Sequence, residues 1–188
     1  MLRTKMFNRK ASDPRYKPDQ VIEAIAIRPG MVIADIGSGG GYYSIRFSEI
    51  AGDKGRVYAV DTNKGHLDFI ISAASQKGIK NITAILSDGG DIEIPEKSLD
   101  FVFMRDVTHH IHERTGYFRR LKRYLKPGSR IAVIDYKEER KRKKLLCRLS
   151  SHYVSRDTLV QELAGAGYRI VEEFGFLPEQ NFIIFSPE

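Results

Sequence analysis

Val32-Ile33-Ala34-Asp35-Ile36-Gly37-Ser38-Gly39-Gly40-Gly41-Tyr42 is the stretch around which the rest of the chain organises itself. A short apolar run ends in an aspartate and breaks into a loop of glycines. From Tyr42 to Ile50 the pattern predicts a helix. Glycines accept positive φ and let a ligand approach the main chain, and the first turn of a helix offers N–H groups with no partner inside the helix. Strand, glycine loop and helix in that order form a nucleotide cradle. Taken alone, the loop could also be simply a tight turn between strand and helix.

Spacing separates the nucleotides. A dinucleotide cradle wants G-x-G-x-x-G, with glycine or alanine at the third place for close helix–strand packing. Counted from Gly37, that place is Tyr42. The residues present read D-x-G-x-G-x-G instead: Asp35, Gly37, Gly39 and Gly41. A carboxylate at the end of the strand suits a ligand that carries an ammonium group, which a pyrophosphate lacks. This pattern resembles motif I of the class I S-adenosylmethionine-dependent methyltransferases.

Further acids follow in step. Arg56-Val57-Tyr58-Ala59-Val60-Asp61 reads as a strand ending in an acid about 20 residues past the glycine loop, where a carboxylate can accept both hydroxyls of a ribose. Asp61 could instead cap the helix that follows. Asn81–Leu86 reads as another strand, closed by Ser87-Asp88-Gly89, and Asp88 on its own merits is as much a turn residue. In the family that the loop resembles, an acid at this place meets the adenine amino group. Ser98–Asp106 looks like the family's fourth strand and the loop facing the transferable methyl, and Leu125-Lys126-Pro127-Gly128 like the turn into the fifth. Together with Thr108-His109-His110 these blocks resemble the ubiquinone/menaquinone-biosynthesis branch and its type 11 relatives, over roughly residues 18–186. The resemblance implies a cofactor set of Asp35, Gly37, Ser38, Gly39, Gly41, Asp61, Thr62, Asp88, Gly89 and Arg105, with S-adenosylmethionine as donor and S-adenosylhomocysteine as product.

Alternating strand-like and helix-like segments predict a parallel sheet wrapped by helices, an α/β Rossmann-like three-layer sandwich in one domain spanning 1–188. Helices are expected from Pro18 to Arg28, with Val21, Ile22 and Ile25 on one face, from Lys64 to Lys77, from about Glu113 to Leu125, and after a Ser155 cap. Tyr168–Phe174 and Asn181–Phe185 are strand-like with no helix between them, and a parallel pair needs a long crossover. The last strand should therefore run antiparallel. The resemblance implies the same seven-stranded sheet.

Bulk properties exclude other classes. The chain has 188 residues, 29% of them charged, with a mean hydropathy of −0.35. No apolar run reaches the ~20 residues of a spanning helix. Met1–Phe7 has basic residues but no apolar centre or cleavage site, so it is no signal peptide. The single cysteine, Cys147, rules out an internal disulfide and fits a reducing cytoplasm. Its basic neighbours could lower its pKa, but no partner base accompanies it, and an inert thiol is expected.

The catalytic candidates are Asp106 and His110, with His109, Arg105 and Tyr136 nearby. A base is needed only if the acceptor is protonated when it attacks. His110 packed beneath its loop is the structural alternative. His109, His110 and His112 lack surrounding ligands, so no metal is expected. Residues 137–148 carry seven Lys/Arg against two acids, and residues 1–17 carry six against one, in a chain of formal net charge +7. In the family, the N-terminal region and the segment after strand five (here 137–152) overlie the acceptor entrance. Their charge points to an anionic acceptor or surface, a small metabolite, nucleic acid or lipid, or else to a merely solvated face. The expected function is methyl transfer to a small molecule in the cytoplasm. The alternatives are an RNA or protein methyltransferase, a non-catalytic S-adenosylmethionine-binding module, and a nicotinamide-dependent oxidoreductase, which Tyr42 disfavours.

Overall fold

Pairing along the chain decides the architecture. In the computed structural model, which describes residues 2–137 and 153–188, one seven-stranded sheet runs in the order β3-β2-β1-β4-β5-β7-β6. The strands are β1 (Val32–Ile36), β2 (Arg56–Asp61), β3 (Ile82–Leu86), β4 (Leu99–Arg105), β5 (Leu125–Tyr136), β6 (Tyr168–Phe174) and β7 (Gln180–Pro187). The first five pair in parallel, and β7 is antiparallel to both β5 and β6, as the missing crossover requires. The hairpin of β6 and β7 follows from the short link at 175–179, with β6 at the edge of the sheet.

The helices are α1 (Leu2–Ala11), α2 (Pro18–Ile25), α3 (Tyr42–Ala51), α4 (Lys64–Gln76), α5 (Arg114–Leu121) and α6 (Arg156–Gly165). Strand side chains alternate between two apolar layers. Ile33, Phe101, Phe103, Ala132 and Ile134 pack with Val21, Ile25 and Phe47 of α2 and α3. Ala34, Val102, Met104, Ile131 and Val133 pack on the opposite face with Phe118 of α5 and Leu159 and Leu163 of α6. A central parallel strand buried on both faces reads as a continuous apolar run, which is how β1 and β4 read.

Helix boundaries have local causes. Pro18 stands at the start of α2, where its missing N–H costs nothing. Ser155 Oγ accepts from the Thr158 N–H, 3.0 Å, and caps α6 as its sequence predicts. Asn63, not Asp61, caps α4, accepting from the Gly65 N–H at 2.9 Å. The helix expected over 113–125 ends at Leu121, and Lys122–Tyr124 tightens into a 3-10 turn before β5. No helix among the described residues is long and apolar enough to cross a membrane.

The N-terminal segment, expected as a basic stretch over the acceptor entrance, folds as α1 and lies over the glycine loop. The opening of α3 has no cap of its own, because Gly41 stands at its N-cap with φ 79°. Asn8 of α1 supplies one, its Oδ1 accepting from the Tyr42 N–H at 3.1 Å. Gly40 is what lets the helix sit so close: a Cβ there would lie 2.6 Å from the Thr4 carbonyl oxygen.

Candidate active site

Chain order reverses between β1 and β4, and a crevice opens at the carboxyl ends of the strands on either side of that switch. The resulting cavity is about 1030 Å³. Asp35, Gly37, Ser38, Gly39, Asp61, Thr62, Asp88, Gly89, Arg105, Asp106 and His110 all line it. Gly41 does not; it serves as the α3 N-cap behind the wall.

Asp35, the penultimate residue of β1, has only 3% of its surface exposed. Burial pushes its carboxyl up to about 7 against the Ser44 hydroxyl, which donates to Oδ2 at 2.5 Å, while neighbouring Asp61 raises it further and Arg105 opposes the rise. Asp61 ends β2 and is more heavily engaged than the sequence indicates. Its Oδ2 accepts from the Gly39 N–H (2.8 Å), and its Oδ1 from the Asn63 N–H (2.9 Å), with His66 Nδ1 at 3.2 Å. Asp61 thus ties the glycine loop to the start of α4, and two carboxylate oxygens with about four acceptor sites keep capacity for a ligand. Asp88 accepts from the Gly90 N–H at 2.9 Å, so it does turn the chain after β3 while lining the cavity.

Arg105 ends β4 with its guanidinium between two rings, 5.1 Å from the centre of Tyr16 and 5.5 Å from that of Tyr43. Its Nη2, the Tyr43 hydroxyl and Ser38 Oγ are buried and meet no hydrogen-bond partner among the described residues. Burial also pushes the Tyr43 phenol up to about 12. Leaving a buried donor unpaired costs about 1–3 kcal/mol. Three such atoms on residues that line the cavity fit a polar guest.

At the other end of the cavity, Asp106 adopts φ 54° and acts as a bracket. Its Oδ2 pairs with Lys10 of α1 at 2.9 Å, and its Oδ1 accepts from Gln180 Nε2 of β7 at 2.7 Å. His110 is exposed, not packed beneath its loop, and its ring lies 4.1 Å from that of His109. His109 is the more deeply set of the two. Its Nδ1 lies 3.1 Å from Oδ1 of Asp135, a carboxylate 3% exposed that also accepts the Thr108 hydroxyl (2.5 Å) and the Tyr136 N–H (3.1 Å). Among the described residues no group of three or more His, Cys, Asp or Glu is arranged to hold a metal ion. The basic residues 138–152, Cys147 among them, lie outside the described residues.

A family of known proteins shares this plan. The family model described as a methyltransferase domain matches residues 27–175. This chain is a class I S-adenosylmethionine-dependent methyltransferase-family protein. A ubiquinone/menaquinone biosynthesis C-methyltransferase of Shewanella frigidimarina is 28% identical over 123 residues, covering 65% of this chain and 49% of that protein. The chain therefore spans about half the length of the curated relatives it matches. The crystal structure of an S-adenosylmethionine-dependent methyltransferase from Aquifex aeolicus superimposes with a TM-score of 0.86 at 25% identity, covering 97% of this chain and 95% of that one. One from Mesorhizobium loti, at 15% identity and a TM-score of 0.75, covers 90% and 97% and shares the fold.

The methyltransferase-family cofactor, S-adenosylmethionine, passes a test on this cavity. Its amino-acid end is a zwitterion, and the wall offers an acid, Asp35, beside a cation, Arg105, whose Nη2 meets no acceptor among the described residues. What the sequence did not reveal is which residues form the roof: Phe7, Asn8 and Lys10 of α1, together with His66, whose ring meets Phe7 edge-on at 5.3 Å. Asn8 and Lys10 act on residues 34 and 96 positions away, so no local spacing announces them.

Proposed function

We propose that this chain transfers the methyl group of S-adenosylmethionine to a small, anionic acceptor in the cytoplasm. The observation that carries this reading is continuity: the glycine loop and the acids at the ends of β1, β2 and β3 line the same cavity as His109, His110 and Tyr136. A donor at one end and an acceptor at the other meet without crossing solvent.

When bound, the cofactor supplies an activated methyl on a sulfonium centre. The protein's part is to orient, to exclude water and to manage a proton. Asp61 would hold the ribose hydroxyls and Asp88, with Gly89 and Thr62 alongside, the adenine side. Asp35 would face the ammonium group, and Arg105 with Tyr43 the carboxylate. The α1 roof, pinned by Asn8 and by the Lys10–Asp106 pair, limits water at the reacting end, where positioning supplies most of the rate. A small acceptor is favoured because the cavity that would hold donor and acceptor together is about 1030 Å³. An anionic one is favoured by Lys10 and by the charge of residues 1–17 and 137–148.

The test is methyl transfer from labelled S-adenosylmethionine into a fractionated extract. Label in the small-molecule fraction is the expected result. Label confined to RNA or protein would replace this acceptor class with the alternative one, and no label in any fraction, with cofactor bound, would make the chain a binding module.

A further inference from the structure

The end of the cavity at β2 holds one more polar side chain than the strand-end acids. Asn63 caps α4, and a side chain in the first turn of a helix leans back toward its N-terminus, which brings His66 over the end of β2. Its ring Nδ1 lies 3.2 Å from Asp61 Oδ1. An ionised carboxylate only accepts, so Nδ1 donates, and the neutral ring then carries its lone pair on Nε2. The other ring contact of His66 is with Phe7 of α1, edge-on at 5.3 Å, which leaves Nε2 without a hydrogen-bond partner among the described residues. His66 lines the cavity together with Asp61 and Phe7. A carboxylate has about four acceptor sites. On Asp61 the Gly39 N–H takes one at Oδ2, and the Asn63 N–H and His66 take those at Oδ1. One site is left, at Oδ2, whereas a ribose brings two hydroxyls.

We propose that His66 reads the cofactor's ribose, its Nε2 accepting one hydroxyl while Asp61 Oδ2 accepts the other. This rests on the S-adenosylmethionine reading above, and it passes to the histidine one of the two hydroxyls given there to Asp61. The two hydroxyls of a ribose are neighbours on one edge of the sugar. Asp61 and His66 are neighbours in the cavity lining, joined by their own hydrogen bond, and so offer two acceptors to that edge. Phe7 packs against the imidazole and limits its rotation, so the α1 roof helps to hold the second acceptor in place. A deoxyribose leaves one of the two acceptors without a donor, and that loss is how the pair tells the sugars apart.

The experiment is calorimetry of the full chain with S-adenosylhomocysteine and with its 2′-deoxy and 3′-deoxy analogues. Two variants separate the ring's two nitrogens. His66→Asn keeps an amide N–H near the place of Nδ1, and with it the contact to Asp61, but removes the group at Nε2. His66→Gln carries its amide out to the place of Nε2. His66→Asn should weaken S-adenosylhomocysteine by about tenfold, the worth of one hydrogen bond, and His66→Gln by no more than about threefold. Against one of the two deoxy analogues, the one lacking the hydroxyl that His66 reads, wild type and His66→Asn should agree within about twofold. In the wild type itself, nitrogen-15 imidazole spectra should show the Nε2 resonance of His66 moving on saturation with S-adenosylhomocysteine. An unmoved Nε2 resonance would overturn the proposal, and so would equal binding of S-adenosylhomocysteine by wild type and His66→Asn. The same loss in His66→Asn against the parent ligand and both analogues would overturn it too, since the ring would then act on Asp61 or Phe7 alone. Failure of the wild type to bind S-adenosylhomocysteine at all would sink the underlying cofactor reading instead.

Discussion

Asp61 shows how one residue can serve the fold and a ligand together. Its carboxylate already accepts the Gly39 and Asn63 N–H groups, and removing it would slacken the glycine loop as well as take away acceptors for a ribose. Asp61→Ala should therefore weaken S-adenosylhomocysteine more than Asp88→Ala does, by ~1.5–3 kcal/mol for each charged hydrogen bond lost. Equal affinity of wild type and Asp61→Ala in calorimetry would reduce this acid to a structural tie. Asp35 makes a prediction about pH. Its carboxyl, held near 7 mainly by burial, is ionised above that value and protonated below it. A cationic group prefers the ionised form, so ligand affinity should rise as pH climbs through 7 and level off above it, with about a tenfold loss between pH 8 and pH 6. Asp35→Asn should flatten that profile. A wild-type profile already flat from pH 6 to 8 would mean that this carboxyl does not meet the ligand's charge.

Elements explain what spacing could and could not reveal. The strands were legible because alternate residues of β1, β4 and β5 feed two apolar layers, and the helices α2 and α6 because Pro18 and Ser155 start them. The α1 helix was not legible. Its sequence is mostly polar and basic, and what fixes it lies far along the chain: a fit over Gly40, the Asn8 amide on the α3 terminus and the Lys10–Asp106 pair. Gly40→Ala should lift α1 off the loop, since the added methyl meets the Thr4 carbonyl. Asn8→Ala should cost about 1 kcal/mol as a lost cap. Hydrogen exchange would read both: α1 and the first turn of α3 should lose protection while β1 and β4 keep theirs. Unchanged protection in Gly40→Ala would show that the helix does not depend on this contact.

At the scale of the whole molecule, the sequence pointed to acids in step for the cofactor end and to Asp106, His109, His110 and Tyr136 for the acceptor end, but not to the partners that fix the latter. Asp35, Asp61 and Asp88 stand at successive strand ends, so their order along the chain is their order in space. His109, Asp135, Lys10 and Gln180 come from four separate elements, and only folding brings them to one cavity. Charge adds one prediction at this scale. Neutralising Arg140, Lys141, Arg142 and Lys143, outside the described residues, should leave S-adenosylhomocysteine affinity nearly unchanged. Binding of tRNA by the wild type should be weak; a steep fall with salt, its slope reduced by about 0.7–0.9 per phosphate contact removed in the variant, would favour a nucleic-acid acceptor over a small one. The most direct test of the central claim is calorimetry of the wild type against S-adenosylhomocysteine and NAD. Saturable binding of S-adenosylhomocysteine, with none of NAD, is the result predicted from Asp35, the glycine loop and Tyr42. Binding of NAD with no binding of S-adenosylhomocysteine would contradict it.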